Sequence, residues 1–479
     1  MGLKQKTISG IFWTFSQQFG VQLINFGVSV VLARLLLPEE FGLIGMIAIF
    51  ITLGNSLMDS GLTSSLIRTK DPDQRDFSTV FLMNIFGSII TYIILFLCAP
   101  LIAEFFDQEI LILIIRVYCT SFIIRSFSAV QLARLTQQMD FKIQMTITIP
   151  SLLGGGLVGL VMAYNGFGVW SLVYMNLVQS LLVSVQLWFR TNWRPALVFD
   201  WKRLRYHFSF GYRLTLSGIL NTIYDNIYNI VIGKYFSAVQ LGYFTRAQSM
   251  KQLPVANIST ALHKVTYPMF SKIQDNDIQL KSVYRRIMQQ VLFWVAPILV
   301  ISGVLAVPLF RFLLTEKWLP AVPYFQILCL VGIMYPLHAY NLNILKVKGR
   351  SDLFLRLEII KKALITVGIV VAIPFGIYGL LWMQVILSTI SFFINTFYSG
   401  KFIQYPAMEQ LTDILPILGI SVLTGFFTYM LDIQISKINH YDLFRLFSGA
   451  VLGMSVYFLF AYLGKISALL DFRQIVLKR

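Results

Sequence analysis

Charge is scarce in this sequence. Of its 479 residues only 13% are Asp, Glu, Lys or Arg, while 57% are hydrophobic and the mean hydropathy is +0.71. Soluble domains carry about 25% charged residues, so a water-soluble fold is excluded. Cysteine is scarcer still. Cys98, Cys119 and Cys329 stand singly inside apolar runs, which excludes a disulfide framework or thiolate metal site and leaves apolar packing. His207, His263, His338 and His440 are scattered without metal-ligand spacing. No metal and no cofactor is expected. Long hydrophilic stretches are missing too: the longest, near residues 190–208 and 270–286, are too short for a folded domain. With no soluble catalytic module, the chain is not expected to be an enzyme. The opening MGLKQKTISG lacks a cleavable-signal pattern, because Trp13, Gln17 and Gln18 interrupt any early apolar stretch. The first helix is expected to stay.

What is abundant is apolar sequence in runs of about twenty residues, each long enough to cross ~30 Å of bilayer hydrocarbon. Lipid offers no hydrogen bonds to a backbone, so these runs must be helices. The expected spans are residues 11–36, 42–67, 77–102, 110–133, 143–164, 168–189, 209–233, 239–269, 287–314, 320–345, 353–374, 377–399, 411–431 and 442–464. They describe an all-α polytopic membrane protein of about 14 transmembrane helices. The connections alternate in charge. One set, including Arg68, Lys70, Arg75 and the cluster from Arg190 to Arg205, holds 24 of the 39 basic residues; the other holds Arg34, Lys234, Arg311, Lys317 and Lys437. By the positive-inside rule the richer side is cytoplasmic and both termini are inside. The net charge of +17 is accounted for by the bilayer, with no nucleic-acid partner.

The halves of the chain resemble each other. VSVVLARLLLPEEFGLIGM (28–46) aligns without gaps to YNIVIGKYFSAVQLGYFTR (228–246), setting Arg34 on Lys234 and Gly42 on Gly242; GFGVWSLV (166–173) matches PFGIYGLL (374–381), setting Gly168 on Gly376. Internal repeats of this kind build many transporter folds. The expected organisation is an N-terminal lobe at residues 1–200, a C-terminal lobe of the same direction at 201–400, and an extra helix pair with a cytoplasmic tail at 401–479. A cleft is expected between the lobes.

Polar residues recur inside the spans. On the seventh, Arg213, Ser217, Asn221, Asp225 and Asn229 stand four apart and form a slowly drifting seam; the first helix carries Gln18, Gln22, Asn25 and Ser29, and the second Asn55, Asp59 and Thr63. Two readings fit: hydrogen bonding across a dry helix interface, or a water-filled cavity. Seams at corresponding places in both halves favour the cavity. Asp59 and Asp225 are then candidates for coupling to an ion, H+ or Na+. Ten basic residues lie within the spans, against chiefly Asp59, Asp225 and Glu358 among the acids, an excess that suits an anionic substrate. Snorkelling to a headgroup competes with ligand binding for each cation, and is the better account of Arg213, Arg356 and Arg445. Arg125, Arg246, Lys251 and Lys264 are the candidate cavity cations; Arg246 and Lys264, eighteen residues apart, share a helix face.

Taken in order, TISGIFWTFSQQFGVQLINFGVSVVLARLLLPEEFGLIGM (7–46), MDSGLTSSLI (58–67), the GFGVWSLV run and LKVKGRSDLFLRLEIIKK (345–362) resemble the polysaccharide transporter family of the multidrug/oligosaccharidyl-lipid/polysaccharide superfamily, the Wzx-type flippases of O-antigen and exopolysaccharide. The resemblance implies two six-helix lobes, an extra helix pair, and alternating access for an undecaprenyl-diphosphate-linked oligosaccharide in a bacterial inner membrane. Related peptidoglycan-precursor flippases carry charged residues in the first helix, where this chain has Gln17, Gln18, Gln22 and Asn25. That departure favours a surface-polysaccharide substrate. Two rival functions are a multidrug or cation antiporter, which needs carboxylates in its cavity, and an integral membrane polymerase, which needs a catalytic carboxylate cluster. The DPDQRD run (71–76) supplies carboxylates but reads as a charged cytoplasmic turn.

Overall fold

The computed structural model describes residues 3–471, apart from the side chains at 3–12, 14, 15, 214, 256–265, 267 and 268. Lys264 therefore lies outside the described residues, as do Lys4, Lys6, Arg473, Lys478 and Arg479. The described chain is all helical: α1 (Leu3–Leu35), α2 (Pro38–Asp59), α3 (Leu62–Arg68), α4 (Gln74–Phe106), α5 (Ile110–Tyr118), α6 (Thr120–Gln137), α7 (Phe141–Tyr164), α8 (Trp170–Arg190), α9 (Trp201–Asp225), α10 (Ile227–Tyr235), α11 (Ala238–Lys272), α12 (Asp277–Val304), α13 (Ala306–Leu314), α14 (Val322–Val347), α15 (Ser351–Ala372), α16 (Gly376–Phe402), α17 (Ala407–Ile438) and α18 (Asp442–Leu463).

Eleven stretches among the described residues are long and apolar enough to cross a membrane, and the protein is a polytopic membrane protein. Two of the expected spans run together here as Ser351–Phe402. The rest of the difference from fourteen falls on α9, α10 and α11, where Arg213, Asn221, Asp225, Arg246 and Lys251 dilute the described apolar content and the side chains of α11 at 256–265, 267 and 268 lie outside the described residues.

Several expected spans are broken. The second bends between α2 and α3, where Ser60 (φ 46°) and Gly61 (φ 70°) take left-handed conformations. The fourth divides at Cys119 into α5 and α6, and the seventh at Asn226 into α9 and α10. The polar seam read along one continuous seventh helix is accordingly interrupted: Asn229 belongs to α10, beyond the break. Hydropathy does not register such breaks, since a single turn leaves the apolar content of the segment unchanged.

Helix starts follow local chemistry. At α2, Pro38 occupies the first turn and the Glu40 carboxylate accepts the Leu37 N–H at 2.6 Å. At α4, Asp73 accepts the Asp76 N–H at 2.9 Å while Asp76 accepts the Asp73 N–H at 3.0 Å, a reciprocal capping box. Most of the DPDQRD run is thus a helix start. The Asp76 N–H bond, the largest influence, together with Arg203 holds the Asp73 carboxyl below the usual carboxylate range.

The chain forms two compact units, Met1–Gly242 and Tyr243–Arg479. In the first, α7 packs on α1 and α8, and α4 on α6. Gly155 and Gly156 let α7 approach closely: a Cβ at Gly155 would lie 2.7 Å from the Met175 carbonyl oxygen, and one at Gly156 2.9 Å from Val28. Leu62, Leu66, Phe77, Val80, Phe81, Val130, Trp193 and Leu204 make one core that joins α3, α4, α6 and α9. In the second unit α12 packs on α17 and α14 on α16, around fully buried Tyr284, Tyr340, Tyr405 and Trp318.

Two segments related by an offset of two hundred residues meet reciprocally within the first unit. A Cβ on Gly42 would fall 1.7 Å from the carbonyl oxygen of Ala238, and a Cβ on Gly242 1.8 Å from that of Pro38. Only glycine permits this crossing of the starts of α2 and α11. The other glycine pair of the alignment, Gly168 and Gly376, has positive φ at both members, 56° and 74°, where the chain turns into α8 and α16.

Candidate functional site

Arg125 is the best-defined polar centre of the first unit. It projects from α6, half-buried, and its Nε donates to Ser180 Oγ at 3.0 Å, one terminal nitrogen to Asn176 Oδ1 at 3.0 Å and the other toward Asn55 Oδ1 at 3.5 Å. Asn176 and Ser180 stand one turn apart on α8, so a single helix face supplies two of the acceptors. All three acceptors are neutral. Among the described residues no carboxylate lies within ion-pair range of Arg125, so its orientation is set while its charge stays uncompensated. A guanidinium has five N–H donors, and three are used here. Two remain for an incoming oxyanion, for which Arg is the bidentate partner of choice.

Asp59 lies at the α2–α3 break. Its Oδ1 accepts the Thr63 N–H at 3.1 Å and its Oδ2 the Thr63 hydroxyl at 2.8 Å. The carboxylate thus serves a helix start at a point where the span is interrupted. Asp225 ends α9 and is exposed, as is Asn221 one turn earlier; Asn229 donates to Asn226 Oδ1 at 3.3 Å across the break. On α1, Gln18 and Asn25 are exposed and Gln22 half-buried, whereas the adjacent Gln17 turns to Thr148 of α7 at 3.4 Å.

The other candidate cations belong to the second unit. Arg246, buried, lies over the Trp318 ring at 5.5 Å, and Lys251, also buried, donates to Gln248 Oε1 at 3.0 Å beside Gly332 of α14. Both stand on α11 but have different partners, and the structure does not bring them together. Four other cations within the spans have local partners. Arg116 lies over Phe96 at 4.2 Å, Lys361 pairs with Glu358, and Arg213 lies over Tyr212. Arg445, expected to snorkel, instead makes a two-pronged pair with Asp432 at 2.9 and 2.6 Å.

Sequence reasoning missed Asn176 and Ser180, although their four-residue spacing was a detectable sign. It also missed a neutral buried network in the second unit: Ser399 donates to Asn341 Oδ1 at 2.6 Å, Asn341 to Gln410 Oε1 at 3.2 Å, and Gln410 to the Tyr405 carbonyl at 3.0 Å. Fully satisfied polar networks of this kind rigidify and specify a packing arrangement.

The chain is similar to known proteins in sequence and in fold. The chain is 25% identical over 400 residues to the teichuronic acid biosynthesis protein TuaB of Bacillus subtilis (strain 168), covering 82% of each chain. It is 25% identical over 403 residues to the lipopolysaccharide biosynthesis protein WzxC of Escherichia coli (strain K12), again over 82% of each. Its fold is similar to that of the lipid II flippase MurJ in an inward closed conformation, with a TM-score of 0.74 and 15% identity, over 95% of this chain and 98% of that one. A family model described as polysaccharide biosynthesis protein matches residues 31–323, more than half the chain and the part that holds Asn55, Arg125, Asn176 and Ser180. The chain belongs to that polysaccharide biosynthesis protein family.

Proposed function

We propose that the protein is a flippase that carries an undecaprenyl-diphosphate-linked oligosaccharide from the cytoplasmic to the outer leaflet of a bacterial inner membrane, for surface polysaccharide synthesis. The observation that carries this reading is Arg125, a cation held within the membrane by three neutral acceptors with two donors to spare. An uncompensated charge in a medium of low dielectric is costly, and a diphosphate offsets that cost while it is bound. The names of the relatives place them in teichuronic acid and lipopolysaccharide biosynthesis, and family membership supports the same class of substrate.

The protein acts as a transporter, without covalent chemistry, through rocking of two lobes at residues 1–200 and 201–400, with 401–479 as an added helix pair and both termini cytoplasmic. The lobe boundary follows the repeat, whereas the boundary at Gly242 follows the packing. Arg246, Lys251 and Lys264 are further cavity cations in this scheme, and the seams of Gln18, Gln22, Asn25, Asn221, Asp225 and Asn229 receive the sugars. Asp225 and Asp59 are the carboxylates available for coupling to H+ or Na+. Transport by Asp225→Asn in vesicles is expected to lose its dependence on one imposed ion gradient; full retention of every such dependence removes Asp225 from the scheme.

The deciding experiment is depletion of the protein in a host without a second transporter of the family, followed by mass spectrometry of lipid-linked oligosaccharides. Trapped intermediates on the cytoplasmic leaflet and loss of surface polysaccharide are expected. Normal polysaccharide with no trapped intermediate sinks the proposal.

A further inference from the structure

A polar cavity that Arg125 does not line opens where α6 ends, α7 begins and α8 ends. Its volume is about 220 Å³, and Gln131, Arg134, Gln138, Asp140, Arg190 and Asn192 are among its lining residues. At ~30 Å³ per water this holds about seven waters, too little for an oligosaccharide but enough for a phosphate with a small substituent. Below it the apolar cluster Leu135, Ile147 and Leu187 fills the space between the same three helices.

Two independent features mark it as built for a ligand. Gln131 is 1% exposed, and neither its Oε1 nor its Nε2 has a hydrogen-bond partner, a state that is costly unless a bound group completes it. Arg134 and Arg190 reach the same cavity, and among the described residues neither pairs with a carboxylate. Arg190 donates to the Thr146 carbonyl oxygen at 3.1 Å, and Arg134 lies 5.8 Å from the Phe77 ring centre. The one acid in the lining, Asp140, already accepts the Ile143 N–H at 3.1 Å as the cap of α7. Water alone would satisfy the Gln131 amide but would leave two guanidiniums in the lining against the single Asp140 carboxylate, an excess of positive charge.

We propose that this cavity is a phosphate-ester site on the basic face of the first unit, with Arg134 and Arg190 supplying charge-assisted donors and the Gln131 amide completing the shell. The phosphate comes either from an anionic phospholipid headgroup of the adjoining leaflet or from a soluble phosphate ester. Bound there, it ties the α6–α7 turn to the segment leading into α9.

The test uses the purified full-length protein and two arms. In detergent, melting temperature is followed against inorganic phosphate at constant ionic strength, with chloride as control. In nanodiscs, melting temperature and lipid retention by native mass spectrometry are compared for phosphatidylglycerol and phosphatidylcholine. A ligand that binds only the folded protein raises the melting temperature saturably. The expected result is such a rise in at least one arm, which identifies the source, with the half-saturating concentration raised about tenfold or more by Arg134→Gln with Arg190→Gln. Asn192→Asp, which places a carboxylate in the lining at an exposed position, is expected to have the same effect without disturbing the fold. A wild-type protein that responds in neither arm overturns the proposal, as does a response that survives in both variants.

Discussion

His207 Nε2 lies 3.1 Å from Asp76 Oδ1, and both side chains are sealed from solvent. The other ring nitrogen faces Ser65 Oγ at 2.9 Å, and Arg203 approaches Asp76 at 3.3 Å. A neutral imidazole that donates from Nε2 to the carboxylate and accepts at Nδ1 from the hydroxyl satisfies all three groups. One ring thereby fastens α9 to both α3 and α4, just ahead of the seventh span.

This linkage makes stability depend on pH. Burial, the largest influence, holds the His207 imidazole below its ordinary pKa of 6.5, with Asp76 acting in the opposite sense. The unfolded chain takes up a proton near pH 6.5 and the folded chain does so only at lower pH, so stability is full above that value and falls on acidification below it. Melting temperature is expected to drop between pH 7.5 and 5.5, and the slope to shrink in His207→Gln. An unchanged slope in that variant, measured by intrinsic fluorescence, removes His207 as the source.

Replacing Arg125 by Gln is expected to reduce transport about tenfold or more, since a charged contact to phosphate contributes about 1.5–3 kcal/mol. Arg125→Lys should fall between, because it keeps the charge and loses the planar fork. Asn176→Ala frees one donor and should cost less. Flipping of a fluorescent polyprenyl-diphosphate sugar in proteoliposomes separates these variants.

Alanine at Gly42 or at Gly242 would place a methyl within 1.8 Å of a carbonyl oxygen. The backbones must part, at a cost of about 1–3 kcal/mol for such overpacking. Because each glycine meets the other helix of the same contact, either substitution should lower the melting temperature by a similar amount, and the double variant by less than the sum. Strict additivity would contradict a shared contact.

The Arg445–Asp432 pair joins α18 to α17 with both side chains nearly out of solvent, 13% and 11% exposed. Removing one partner, as in Arg445→Met, is expected to destabilise by about 3–5 kcal/mol by leaving a buried charge. The companion change Asp432→Leu should restore most of that loss. Chemical denaturation of the three variants in detergent measures it.

How much was legible beforehand follows from the range of each signal. Apolar runs gave the helices, because about twenty residues suffice to state the pattern. Register between the halves was visible in Gly42 and Gly242, for glycine at a close crossing has no substitute. The cage around Arg125 was half visible: Asn55 belonged to a noted seam, but Asn176 and Ser180 lie 51 and 55 residues from Arg125 in sequence. Ser65 and His207, 142 residues apart, carried no local sign at all. Breaks at Ser60–Gly61, Cys119 and Asn226 escaped because one turn of altered backbone leaves composition untouched.

The crossing of α2 and α11 has the form of a surface that is its own complement. In a twofold homodimer residue i of one subunit meets residue j of the other, and j meets i in return; here Gly42 meets Ala238, and Gly242 meets Pro38. Both copies of the patch lie in one chain, and this exchange of contacts holds only while neither Gly42 nor Gly242 carries a side chain.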